Sequence, residues 1–257
     1  MRFFTYFAAA SIFVTAMFAF VAGAQAQPPA GYAEIYNAPT KVNLGGRPVI
    51  ADIAFHADMD AAKQNDLNLA LVTDVTKFVV ETEGDLKNWI AARDADCGER
   101  WSSGEPDISF PQNAIRFRLY LEIEYWACGW NGKGSPSRLA LETGGVDVTL
   151  IPYIEDGKLQ ARLGDFSLDQ RSGISKYLPL EFVVRRALEQ ELAKLNKNQK
   201  FYRAPQPLYD EGFTYDSITA VEDRNGRIVI TARYAASGPA AAFDRIKQKL
   251  RTDGITQ

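Results

Sequence analysis

The chain has 257 residues, a formal net charge of −3 from 29 Lys and Arg against 32 Asp and Glu, one histidine and two cysteines. Charge this mixed and mildly negative argues against nucleic acid as a partner, and against strong electrostatic attraction to an anionic membrane surface. A lone histidine excludes sites built from several histidines, and no G-x-S-x-G, H-E-x-x-H, P-loop or dinucleotide fingerprint is present.

The first residues, "MRFFTYFAAASIFVTAMFAFVAGAQA", place one positive charge (Arg2) before a long apolar run that ends on Ala24-Gln25-Ala26. Residues 1–26 read as a secretory signal cleaved before Gln27. The alternative is an uncleaved anchor, because the run exceeds the usual ~7–15 apolar residues. Cleavage would send the chain to the periplasm, with full secretion as the other destination. No second apolar span of about 18 residues follows that would predict a further transmembrane helix. Residues 27–46 ("QPPAGY", "NAPT", "NLGGRP") read as a leader loop, 47–236 as one domain, and 237–257 as a C-terminal helix and tail.

Within the domain, Val49, Ala51, Ile53 and Phe55 alternate as a first strand. The stretch "QNDLNLALVTDVTKFVVETE" fits both a helix (Leu67, Leu71, Val75, Phe78) and a strand (Leu67, Leu69, Leu71), with its β-branched content favouring the strand. "GDLKNWIAARD" predicts a short amphipathic helix bearing Leu86, Trp89 and Ile90. From Ile115 to Ala127 apolar and polar residues alternate for thirteen positions, a strand near 40 Å long at roughly 3.3 Å per residue. "RLALE" closes at Thr143-Gly144-Gly145, and "VDVTLIPYI" turns at Asp156-Gly157 into "KLQARLGDFSLD". These runs predict four antiparallel strands across about 115–168. "PLEFVVRRALEQELAKLNKN" predicts the longest helix, opened by Pro179 and closed by Lys194, Lys197 and Lys200. A Pro-containing loop leads to a hairpin turning at Asn225-Gly226, and Phe243, Ile246 and Leu250 mark a last surface helix. The fold class is α+β, an antiparallel long-stranded sheet packed on one long amphipathic helix.

Chemistry-bearing residues are few. Cys97 and Cys128, an even count in an exported chain, predict one disulfide, with two buried thiols as the alternative. His56 reads as a surface or rim residue and not as a base. Glu122 and Glu124 share a strand face about 7 Å apart, between retaining and inverting glycosidase spacings; ion pairing on a solvated face, with Arg116 and Arg118 bonded across strands, is the preferred reading. Asp58, Asp60 and Asp66 lack the spacing of a calcium loop and read as a polar loop. Trp101, Trp126 and Trp130 flank the cysteines, either as a packing cluster or as an aromatic rim at a contact surface. No cofactor or metal is expected.

The order of elements over about 115–234, with "VDVTLIPYIEDGKLQARLGDFSL", "PLEFVVRRALEQELAKLN" and "GFTYDSITAVEDRNGRIVITARY", resembles the tubular lipid-binding (TULIP) superfamily. The resemblance implies a curved sheet wrapped around the long helix, with an apolar groove for acyl chains and no covalent chemistry. Its walls would be Phe117, Leu119, Leu121 and Ile123 on the strand, and Leu180, Val183, Val184, Ala187 and Leu188 on the helix. A closed core has the same composition as such a groove. The expectation is therefore a non-enzymatic, exported lipid- or amphiphile-binding protein. The alternatives are an envelope-assembly, inhibitor or other protein–protein interaction module with a closed core, and a hydrolase using Glu122 or Glu124.

Overall fold

The computed structural model describes residues 28–44, 47–93, 96–128, 135–197, 203–222 and 226–255. The signal-like segment, Trp130 and most of the "GWNGKGSPS" loop lie outside them, as do Asn225 and Lys200. Two antiparallel five-stranded sheets carry the fold, so α+β is its class.

The first sheet begins earlier than the sequence predicts. β1 (Tyr32–Leu44) occupies most of the stretch read as a leader loop and pairs along its length with β2 (Arg47–Asp58). Pro39 disguises it, but β1 is an edge strand, and on an edge a missing N–H costs no ladder bond. Its inward face is Tyr36 and Thr40, whose hydroxyls lie 2.8 Å apart in the interior. A one-turn helix, α1 (Met59–Ala62), starts on the Asp58 carboxylate, which accepts from the Asp60 and Ala61 N–H groups. β3 (Asp66–Asp74) follows, then α2 (Thr76–Ala91).

The ambiguous stretch is thus both elements in turn. β3 is buried on both faces from Leu69 to Asp74, which gives a continuous apolar run in place of an alternating one. Asp74 Oδ1 then accepts from the Thr76 N–H at 2.9 Å and switches the chain to helical period, with Val79, Leu86 and Ile90 facing inward.

The second sheet is built from β4 (Gly98–Ser103), β5 (Asp107–Ser109), β6 (Ile115–Ala127), β7 (Ser137–Glu155) and β8 (Lys158–Asp169). The two strands expected on either side of Gly144-Gly145 are one 19-residue strand. Neither glycine makes a turn, and Gly145 serves close approach: a Cβ there would collide with the Asp169 carboxylate on the neighbouring strand. Asp156 and Gly157 do form the expected two-residue hairpin, both with positive φ. Its tip meets the first sheet, where Gly157 O accepts from Tyr215 N–H at 3.0 Å.

β9 (Thr214–Glu222) and β10 (Ile228–Ser237) close the first sheet against β3. One large core joins the sheets, with Phe110, Ile115, Leu150, Leu159 and Phe166 packed among Phe55, Leu69, Phe213 and Tyr234. The C-terminal helix, α5 (Ala241–Thr252), lies inside the domain and is no tail. Phe243, Ile246 and Leu250 are buried in the same core, and Ile255 N–H donates to Lys41 O of β1 at 2.7 Å. A short α4 (Gln206–Tyr209) is joined to α5 by Arg245–Glu211 and Lys249–Asp210 pairs.

The long helix, α3 (Leu180–Lys197), packs mainly on β8, an edge strand of the second sheet. Asn196 treats that edge as a further strand would: its Oδ1 accepts from Ala161 N–H at 3.1 Å and its Nδ2 donates to Ala161 O at 2.8 Å. The register explains why Ala161 needs this. It opposes Pro152, which has no N–H, so the pair is of the non-hydrogen-bonded kind and the Ala161 polar groups point outward. Pro152 is tolerated because β6 pairing ends at Leu150, leaving no partner on its other side. Covering an exposed edge in this way blocks strand addition by other chains.

Candidate functional site

The two predicted groove walls do not face each other as a pair. Leu119 of β6 packs with Leu86 and Ile90 of α2 in a small separate core, flanked by Phe117, Leu121, Trp89 and Trp101. Val184 and Leu188 of α3 pack instead on the large core, as Phe117 does from its other side. Ile123 and Ala187 are half-buried, and Val183 is exposed. The helix laid on the dry face of β6 is therefore α2, the shorter one. Sequence order favours α3, but the disulfide draws the end of α2 to the end of β6.

Cys97 and Cys128 are bonded, with Cα atoms 5.6 Å apart. Beside them the predicted tryptophan cluster is a cation–aromatic stack. The Arg93 guanidinium sits 3.7 Å from the Trp89 ring centroid and 5.9 Å from that of Trp101, and Arg100 lies 4.2 Å from Trp126. Trp89 joins this cluster through the helix.

The wet face of β6 is an ion-paired surface. Glu124 accepts from Arg138 at 2.7 Å and from Trp126 Nε1 at 2.9 Å, and these two bonds hold its carboxyl below the usual range. Glu122 has longer contacts of 3.5 Å with Ser102 and Tyr120. Arg116 pairs with Asp147 and Arg118 with Asp107. His56 is buried in the middle of the first sheet, not on a rim, and its Nδ1 has no hydrogen-bond partner among the described residues. Burial pushes its pKa down, against the pull of Glu34 across the strand pair. Asp58 is engaged as a helix cap and Asp60 bonds Lys63, and no group of three metal-ligating side chains occurs among the described residues.

The cleft with exposed apolar walls is at the head of α3. Arg171, Leu178, Pro179, Glu181, Phe182 and Arg185 line a volume of about 380 Å³. Two features of the chain fix this region. After β8, Thr143 of β7 pins the returning strand, its Oγ1 donating to Gln170 O at 2.9 Å and its N–H to Ser172 Oγ at 3.0 Å. A 3₁₀ turn (Gly173–Tyr177) then leads to Pro179 and the helix, with Arg171 Nη1 donating to Leu178 O and Arg185 Nη2 to Gly164 O, each at 3.1 Å. Gly173 has positive φ and a Cβ there would strike the Glu142 carboxylate, so glycine is required.

On this pinned frame, Tyr177 is 82% exposed, Leu178 45%, Phe182 66% and Val183 39%. Four of the ten exposed large hydrophobics of the described residues thus fall within seven positions, which makes a patch and not scatter. Of the predicted wall, Leu180 and Val183 flank this patch. Phe182 is absent from that wall, although the sequence carries its signal. With Val184, Leu188 and Leu192 turned inward, Phe182 stands about 200° from Val184 at 100° per residue and must face out. Chemically the cleft offers two aliphatic or aromatic surfaces beside two guanidinium groups, with one carboxylate, Glu181, among them.

Comparison with protein-family models finds no match, and comparison with curated proteins finds none either.

Proposed function

We propose that this chain is a non-enzymatic, exported binding protein that takes an amphiphile at the head of α3. The apolar part would lie on Leu178 and Phe182, and an anionic head would meet Arg171 and Arg185. The observation that carries the reading is the exposure of Leu178 and Phe182 on the walls of one cleft, with Tyr177 and Val183 exposed next to them in the chain, because apolar surface of this kind is stabilised by being covered. The TULIP-like element order and the signal-like first 26 residues support the ligand class and a periplasmic location.

The test is a calorimetric titration with lyso-phosphatidylglycerol kept below its micelle concentration. The expected result is saturable binding near one ligand per chain, weakened at least tenfold in Phe182→Ser. An absence of heat and of any shift in native mass would overturn the reading. A second reading, an envelope protein-contact module, is favoured by the cleft's size, which is near the bottom of the ~300–1,000 Å³ range of small-molecule sites. Binding of no amphiphile by a chain whose patch is protected on adding an envelope extract would select it.

A further inference from the structure

We infer that the patch around the head of α3 is a docking surface for anionic phospholipid bilayers, an inference that rests on the amphiphile-binding reading above and names its larger partner. Three observations combine. The exposed side chains Tyr177, Leu178, Phe182 and Val183 are aromatic and aliphatic, the kinds that insert at the boundary between head groups and acyl chains. Tyr177 and Phe182 are the two most exposed of these and offer the largest aromatic area to a partner.

Charge supplies the second observation. The chain as a whole is negative, yet the segment 171–186 carries Arg171, Lys176, Arg185 and Arg186 against the single carboxylate of Glu181. Arg185 is shared with Glu189 at 3.6 Å and the Glu142 carboxylate packs against Gly173, so the local excess is moderate. Lys176 and Arg186 are exposed and make no ion pair among the described residues. Phe182 and Arg186 stand at i and i+4, and Phe182 and Arg185 at i and i+3, which puts cation and ring on one helical face. The net repulsion between an acidic protein and an anionic bilayer would then act on every face but this one and orient the molecule.

The third observation is mechanical. The patch does not need to fold on contact, because the Thr143 bonds to Gln170 and Ser172, the Arg171–Leu178 bond and the Arg185–Gly164 bond hold its backbone. Little ordering entropy would oppose docking, and the apolar side chains are already displayed.

The experiment is cosedimentation of the full chain, without its first 26 residues, with vesicles of phosphatidylglycerol and phosphatidylethanolamine, and in parallel with phosphatidylcholine vesicles. Binding to the anionic vesicles only, falling with added salt, is expected. Lys176→Gln/Arg186→Gln should weaken it roughly thirty-fold, at about fivefold per neutralised cation. Tyr177→Ser/Phe182→Ser should abolish it at the same protein concentration. Val221→Ser is the control: Val221 is 56% exposed on β9, a strand of the other sheet, and its loss should change nothing. Unaltered melting temperatures keep misfolding out of the comparison. Equal binding to phosphatidylcholine, or wild-type binding by the Tyr177→Ser/Phe182→Ser variant, overturns the inference. So does sedimentation of the lipid-free chain as a dimer that Phe182→Ser converts to monomer, since a second copy then covers the patch. Binding of lyso-phosphatidylglycerol without any vesicle binding would refute docking and leave the amphiphile reading standing. Vesicle binding without monomer binding would do the reverse.

Discussion

Replacing Asn196 by Ala tests how α3, and with it the candidate site, is held. The Asn196 amide satisfies both the N–H and the C=O of Ala161, a residue only 1% exposed, at 3.1 and 2.8 Å. Truncation leaves both backbone groups without a partner on the edge of β8. A buried polar group stripped of its bond costs about 1–3 kcal/mol, and water reaching past a half-buried helix lowers that toward the smaller value. Two such groups give about 3 kcal/mol. At roughly 2–4 °C per kcal/mol for a domain of this size, Tm should fall by roughly 6–12 °C in a calorimetric scan.

Asn196→Asp sharpens the test. A carboxylate keeps the acceptor for Ala161 N–H but faces Ala161 O with no proton to give, so at neutral pH it should be no better than alanine. Protonation restores a donor, so the gap to wild type should narrow as pH falls toward 4. An Asn196→Ala variant within about 0.5 kcal/mol of wild type, the ordinary range for a surface change, would refute the edge-pairing argument.

Breaking the Cys97–Cys128 bond with a Cys97→Ser/Cys128→Ser variant should cost on the order of 3–4 kcal/mol, from a separation of 31 residues in the chain-entropy model; denaturant titration that shows no loss would contradict it. His56 predicts a pH dependence. Its folded pKa lies below the ordinary 6.5, so its contribution is complete above about pH 6.5 and declines as pH drops below that value, where only the unfolded chain takes the proton. His56→Gln should flatten that segment of the stability profile, and an unchanged slope would mean that the imidazole is solvated. Gly254→Ala places a Cβ against Lys41 O at a φ of +72° and should destabilise by about 1–3 kcal/mol, loosening the Ile255–Lys41 bond. Hydrogen exchange at Ile255 no faster than in wild type would argue against it.

Several elements are legible in the sequence because local chemistry decides them. The alternation of β6, the Asp156-Gly157 turn, the length of α3 and the cysteine pair are of this kind. What misleads is non-local in every case. Pro39 argues against a strand until β1 is known to be an edge, and Gly144-Gly145 reads as a turn until Asp169 is known to lie beside it. A strand buried on both faces, as β3 is, loses the alternation that marks strands. The partner of the β6 dry face is illegible because periodicity shows that a face is dry and never what dries it. α2 and α3 both carry apolar stripes, and the choice between them is made by the disulfide and by the Asn196–Ala161 pairing. The exposed patch is half legible: Phe182 breaks the stripe of α3, but Tyr177 and Leu178 precede the helix, where no periodicity applies.

The most direct test of the account is where an amphiphile touches the chain. A photoactivatable lyso-phospholipid carrying a diazirine in its acyl chain, cross-linked to the folded protein and mapped by peptide mass spectrometry, should label residues 171–186 with the maximum at Leu178 and Phe182. Labelling concentrated on 117–123, or none above that of the unfolded chain, would contradict a site at the head of α3.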